Sequence, residues 1–150
     1  MKNKIHTIEV ENNETQSVEK ILEKIRENKI IYVKNKFYED EDELDSIAEN
    51  GPAIILNSSG SSGNPRRCFH HLDNIKLSAA SSGKWLIEQG FELQNCLILN
   101  TLPLNHISGL MPIFRSQTWG CDCINISPNL IKKTRELLLF TIKSKKNKKH

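Results

Sequence analysis

The chain has 150 residues, enough for one domain able to bury roughly 68–70% of its unfolded surface. Apolar residues at 37% and charged residues at 26% exclude the intrinsically disordered class, and no run approaches the roughly 18 apolar residues of a membrane-spanning helix. The net charge of +3 divides unevenly, with 8 Lys/Arg against 13 Asp/Glu in residues 1–50 and 13 against 5 in residues 51–150, so the two portions face different partners.

The opening "MKNKIHTIEV" lacks the apolar core of a secretory signal, and a cytoplasmic protein is expected. Residues 15–28 place Val18, Ile21, Leu22 and Ile25 at helical spacing with charges opposite, which predicts an amphipathic helix. "KIIYVKN" at 29–35 reads as a strand. The acidic stretch at 38–50 reads as a solvated face, with cation chelation as the alternative.

From Ala53 the pattern repeats. "AIIL" is a β-rich run, followed by a Ser/Gly segment and then a predicted helix over 73–89, capped by Asp73 or Asn74 and ended by Gly90. His70 and His71, adjacent and so poorly placed as metal ligands, are expected to begin that helix. "CLILNT" at 96–101 is a second apolar strand, "SGLMPIFRSQTW" a second helix, "CINIS" a third strand and "NLIKKTRELLLF" a third helix capped by Asn129. Trp85 and Trp119 are expected in the core or between helices. Strands alternating with helices predict an α/β fold, a mainly parallel sheet with flanking helices, and the continuous apolar strands predict burial on both faces.

The four cysteines, Cys68, Cys96, Cys121 and Cys123, lack the C-x-x-C spacing of structural zinc sites and read as reduced thiols. Cys121-x-Cys123 would set two sulfurs on one face of a strand, leaving a metal or redox role as the alternative; no metal site is assigned. "KSKKNKKH" at 143–150 reads as a frayed, solvated tail, with nucleic acid or acidic lipid as the alternative partners.

The stretch that asks for chemistry is "NSSGSSGNPRR" at 57–67, which starts flush against a buried strand. In a parallel sheet, loops at the carboxyl ends of strands are where ligands bind. Gly60 and Gly63 permit positive φ and let backbone N–H groups converge, Ser58, Ser59, Ser61 and Ser62 supply hydroxyls, and Arg66 supplies a fixed positive charge. Phosphate is the guest this chemistry suits, an ordinary turn being the alternative. It is not the G-x-x-x-x-G-K-[ST] phosphate loop, because the two glycines are too close and no Lys-Ser/Thr follows.

"SSGSSGNPR", Ser58 to Arg66, resembles the phosphate-binding signature of the adenylate-forming synthetases, the acyl- and aryl-CoA ligases, peptide-synthetase adenylation domains and luciferases. About 45 residues on, "LPLNHISGLMPIFRSQTWGC" is similar to the same family's second signature, a Pro, then His, then Gly stretch ahead of a helix. The wording of both segments most resembles 2-succinylbenzoate-CoA ligases of the cyanobacterial type, which serve phylloquinone or menaquinone synthesis. Two residues depart from the pattern: Arg66 stands where Lys is usual, exchanging a compact ammonium for a planar fork, and Arg67 stands where Gly is usual.

This resemblance implies the N-terminal portion of a synthetase large domain, with residues 1–50 a helix/strand segment, 51–138 the synthetase core and 139–150 a basic tail expected to be disordered. It implies that ATP, with Mg2+, and an aromatic carboxylic acid give an acyl-adenylate and pyrophosphate, and that coenzyme A then takes the acyl group. Ser58, Ser59, Gly60, Ser61, Ser62, Gly63 and Arg66 would bind the departing phosphates by electrostatic positioning. His106 would stand between nucleotide and acyl pockets as the catalytic residue, Ser108 and Gly109 would line the acyl pocket, and Arg115 would meet a second carboxylate.

The family's Tyr-Gly-x-Thr-Glu segment, ribose-binding Asp, hinge and lid Lys have no counterpart in the chain. A shortened ligase without complete turnover is therefore expected, its unpaired sheet edge and exposed apolar face implying self-association or a complementing chain. The alternatives are a stand-alone nucleotide or acyl-ligand binding module acting with another chain, and a nucleic-acid binder using the basic tail. No nucleic-acid or membrane partner is assigned.

Overall fold

A computed structural model describes residues 3–11, 15–37, 46–47, 51–58 and 66–127. The expected helix over 129–140, the basic tail, nearly all of the acidic stretch and the centre of the Ser/Gly loop, residues 59–65, lie outside the described residues.

The fold is α/β with a mainly parallel sheet, as the alternation of elements predicts. Strands β1 (Asn3–Val10), β2 (Ile30–Asn35) and β4 (Ala53–Asn57) run parallel, β1 beside β2 and β2 beside β4. β3 (Ser46–Ile47) adds antiparallel to β1 and β5 (Arg67–His71) antiparallel to β4, giving the order β3-β1-β2-β4-β5. Strands from the first fifty residues and from those after them thus share one sheet. A second, two-stranded parallel sheet pairs β6 (Leu97–Asn100) with β7 (Asp122–Asn125).

Among the described residues, three helices pack on these strands. In α1 (Thr15–Arg26) the predicted stripe of Val18, Ile21 and Ile25 is buried, with Leu22 packed beside it. The helix ends where Asn28 turns to φ 56; the Asn28 amide donates to the Ile25 carbonyl and the Lys29 amide to that of Lys24, closing the last carbonyls in a Schellman arrangement. α2 (Leu72–Glu88) ends at Gly90, φ 86, as expected. α3 (Ile107–Trp119) ends at Gly120, φ 67.

Alternation along the strands divides the core. Ile31, Val33, Ile54 and Leu56 join α1, α2 and α3 residues in the larger buried cluster, and Ile30, Tyr32 and Ile55 join Ile5 and the partly buried Phe69 in the smaller one. β4 is buried along Ala53–Leu56 because it lies between β2 and β5 with both its faces covered, which is why it reads as an uninterrupted apolar run.

Three expectations need correction. Residues 67–71 form a strand, so the Ser/Gly loop joins two antiparallel strands rather than a strand and a helix. His70 lies within that strand and His71 closes it; α2 starts at Leu72, with His71 rather than Asp73 or Asn74 at its cap position. Trp85 is 59% exposed and belongs to no core, whereas Trp119 joins α3 to α2 as expected, its indole N–H donating to the Ala79 carbonyl at 2.7 Å.

Candidate functional site

The Ser/Gly loop springs from the carboxyl end of β4, in the interior of the five-stranded sheet. The antiparallel ladder runs to Asn57 opposite Arg67, and one step further the Ser58 amide donates to the Arg66 carbonyl at 2.7 Å. The Arg66 amide donates back to the Ser58 hydroxyl at 3.2 Å. Ser58 and Arg66 therefore close the root of the loop, and the cation predicted to face phosphate is held there by main-chain hydrogen bonding. Ser59, Gly60, Ser61, Ser62 and Gly63 lie outside the described residues.

Beneath this root is a polar group that the sequence gives no reason to single out. The Asn57 side-chain amide donates to the Tyr32 hydroxyl at 2.7 Å, and the Arg67 guanidinium carbon stands 5.8 Å from the Tyr32 ring centroid, within cation–π range. Among the described residues, the Asn57 side-chain oxygen is buried without a hydrogen-bond partner. Asn57 could have been noticed as the residue at the strand-to-loop junction; Tyr32, 25 positions earlier, carries no such signal.

The second motif lies at the carboxyl end of β6. Buried Asn100, opposite Asn125 in the β6–β7 ladder, organises it. Its side-chain amide donates to the Gly109 carbonyl and to the Asn125 side-chain oxygen, both at 2.8 Å, and its own side-chain oxygen accepts from the Leu102 amide at 3.2 Å. One side chain thus ties strand, loop and helix start together.

His106 occupies the N-cap position of α3 in an extended conformation, φ −123 and ψ 148. Its side chain makes no capping hydrogen bond; Nε2 lies 3.3 Å from the Asn105 side-chain amide, and its carbonyl accepts from the Gly109 and Leu110 amides. The ring is half-buried at the helix start, where helix N–H groups favour negative charge. Ser108 is exposed on the first turn. Gly109 is buried with the Pro103 carbonyl oxygen against its α-carbon, so the glycine here serves a close backbone approach. Pro112, lacking an N–H, cannot donate to the Ser108 carbonyl one turn back.

Arg115 stands apart. Nine residues beyond His106, it lies roughly 13 Å along the helix axis, its guanidinium carbon 5.9 Å from the Trp119 ring centroid and its Nε buried without a hydrogen-bond partner among the described residues. The two motif segments do share a core: Leu56, just before the Ser/Gly loop, and Leu104, two residues before His106, belong to the same buried cluster. Among the described residues no group of three or more His, Cys, Asp or Glu side chains could hold a metal ion, and no helix is long and apolar enough to cross a membrane.

No family model and no curated protein matches the chain. Among solved structures it is similar to o-succinylbenzoate-CoA synthetase from Bacillus subtilis in complex with the acyl-adenylate intermediate OSB-AMP, at 21% identity and a TM-score of 0.44, covering 79% of this chain and 37% of that one. It is similar also to McyG A-PCP complexed with phenylalanyl-adenylate, at 19% identity and a TM-score of 0.45, covering 86% and 24%. A third is the luciferase-like enzyme of the nonluminescent mealworm Zophobas morio, at 18% identity and a TM-score of 0.36, covering 81% and 30%. The chain spans less than two-fifths of the length of each.

Proposed function

We propose that the chain is the phosphate-binding portion of an ATP-dependent, adenylate-forming acid-CoA ligase, with 2-succinylbenzoate as the acid. The observation that carries this reading is the closure of the "SSGSSGNPR" segment by Ser58 and Arg66 at the carboxyl end of β4, the end of a parallel sheet where ligands bind. Residues 51–138 are on this reading the core of that portion, with residues 1–50 completing its sheet and 139–150 a basic extension.

Ser58 to Gly63 and Arg66 would hold the β- and γ-phosphates of ATP through backbone N–H groups, hydroxyls and one fixed cation. Charge-assisted hydrogen bonds contribute about 1.5–3 kcal/mol each, so two or three would offset the cost of ordering the loop. With no three-carboxylate or histidine cluster among the described residues, Mg2+ would arrive on the ATP phosphates. His106 at the α3 N-terminus would orient the acid's reacting carboxylate and Ser108 and Gly109 would form the wall beside it, while Arg115, roughly 13 Å along the helix axis from His106 and held over Trp119, would lie too far off to meet the same molecule's second carboxylate. Coenzyme A would be the acyl acceptor. Self-association or a complementing chain would meet this portion along an exposed sheet edge, where β5 has β4 on one side only among the described strands.

The test is binding of ATP and pyrophosphate by the chain and by the double variant Ser61→Ala, Ser62→Ala, with folding checked by circular dichroism. Loss of roughly tenfold or more in pyrophosphate affinity, the equivalent of about 1.4 kcal/mol, is expected. Unchanged affinity in a folded variant would refute the phosphate-loop assignment. ATP–pyrophosphate exchange that depends on 2-succinylbenzoate, and not on other aryl acids, would establish the acid.

A further inference from the structure

The β6–β7 pair brings together cysteines that the proposed ligase chemistry does not use. The parallel ladder begins with Leu97 opposite Asp122. Both cysteines lie one residue ahead of that ladder; carried back by one residue, its register would set Cys96 opposite Cys121 and both side chains on one face. Adjacent strands lie about 4.8 Å apart, and a disulfide accepts Cα separations of roughly 4.4–6.8 Å. Both cysteines are partly exposed and outside any disulfide, the Cys96 thiol donating to the Glu92 carbonyl at 3.5 Å.

The backbone holds each cysteine at the mouth of the ladder. The Cys96 amide donates to the Leu93 carbonyl at 3.0 Å as the 3-10 turn Leu93–Asn95 gives way to extended chain, φ −76 and ψ 155. The Cys121 amide donates to the Ser116 carbonyl at 3.1 Å, directly after the left-handed turn at Gly120. Cys123, two residues along the same strand face, packs against the larger core cluster instead. Cys68 lies on β5, outside the β6–β7 pair.

We infer that Cys96 and Cys121 are a modification site that a peroxide converts to an intramolecular disulfide, tying the starts of β6 and β7 together. With hydrogen peroxide the step balances as two thiols plus one H2O2 giving one disulfide and two waters. One thiolate takes an oxygen from the peroxide and becomes a sulfenic acid as the first water leaves; the second thiol attacks that sulfur and expels the second. The covalent ring so closed encloses the His106 loop and the whole of α3, so oxidation would stiffen the segment carrying the second motif without adding a residue to it.

The environment separates Cys123, within β7, from Cys121, just ahead of it. Burial, followed by the neighbouring Cys121 charge, pushes the Cys123 thiol up to about 11, which keeps it protonated. Burial, followed by the Cys96 sulfur, raises Cys121 as well. Bond formation is therefore expected to speed up as pH rises from 7 to 9, because the thiolate is the reacting species.

The full chain is treated with hydrogen peroxide under native conditions, remaining thiols are alkylated, and tryptic peptides are mapped by mass spectrometry. The expected product is a monomeric Cys96–Cys121 link, reversed by dithiothreitol, absent from Cys96→Ser and from Cys121→Ser, and retained in Cys68→Ser and Cys123→Ser. The oxidised chain should melt several degrees above the reduced one. Links between chains, a link involving Cys123, or thiols carried to sulfinic acid without any Cys96–Cys121 link would each overturn the inference. Peptide mapping of the unsubstituted chain separates these outcomes however the variants fold.

Discussion

Asn100 does more at the candidate site than any residue singled out by motif. It is 1% exposed, and its side chain serves three partners at once: the Gly109 carbonyl, the Asn125 side chain and the Leu102 amide. Leaving a buried hydrogen-bonding group without a partner costs about 1–3 kcal/mol, a large share of a typical total of roughly 5–15 kcal/mol. Asn100→Ala is therefore expected to lower stability in chemical denaturation by about 1–3 kcal/mol, and to loosen the entry to α3 where His106 sits. An unchanged denaturation midpoint would mean that these bonds are replaced by water and that the loop is held some other way. Gly109 works from the other side of the same contact, because a side chain there would collide with the Pro103 backbone rather than with a movable group.

At the scale of elements, what the sequence makes legible is whatever buries a stripe or fills a strand. The α1 stripe, the apolar runs of β2, β4 and β6 and the glycine at the end of α2 all carry their own signal. β5 does not: "RCFHH" is an outer strand of the sheet, half-exposed along most of its length and recruited by main-chain hydrogen bonding to β4, so no apolar alternation announces it. β1 is equally silent as a strand, its buried Ile5, Ile8 and Val10 being spaced unevenly. The Ser/Gly segment and the strand before it are legible, yet the strand after it is not, because it looks polar.

The α2–α3 contact shows the same divide. Trp119 can be recognised as a packing residue, but its partner, the Gly83 α-carbon, cannot. A methyl group at Gly83 would lie 2.5 Å from the indole nitrogen. Gly83→Ala should therefore destabilise the chain even though Ala is the better helix former by roughly 1 kcal/mol. Trp119→Phe, which removes the indole N–H from the Ala79 carbonyl, should cost roughly 0.5–1.5 kcal/mol. Thermal melts of the two variants check this pair, and a stabilised Gly83→Ala would contradict the close approach of the helices.

For the molecule as a whole, the histidines set how stability responds to acid. Burial lowers His70, within β5, and burial together with Lys4, Lys24 and Lys29 lowers His6, on β1, both from the ordinary 6.5. Each imidazole is thus harder to protonate in the folded chain than in the unfolded one. Below about pH 6.5 the unfolded chain binds more protons, so stability is fully present above that value and is lost as pH falls through the lowered folded values. Glu27, held below the ordinary 4.5 first by the hydrogen bond from Lys24, adds a loss in the same direction at lower pH. The urea midpoint should therefore fall between pH 7 and pH 5. The double variant His6→Gln, His70→Gln should flatten the part of that fall between pH 7 and about pH 6, where carboxylates and lysines keep their charge. A midpoint that rises on acidification, or a fall that survives the double variant unchanged, would show that protons are taken up elsewhere in the chain and that the two strands carrying these histidines tolerate charge.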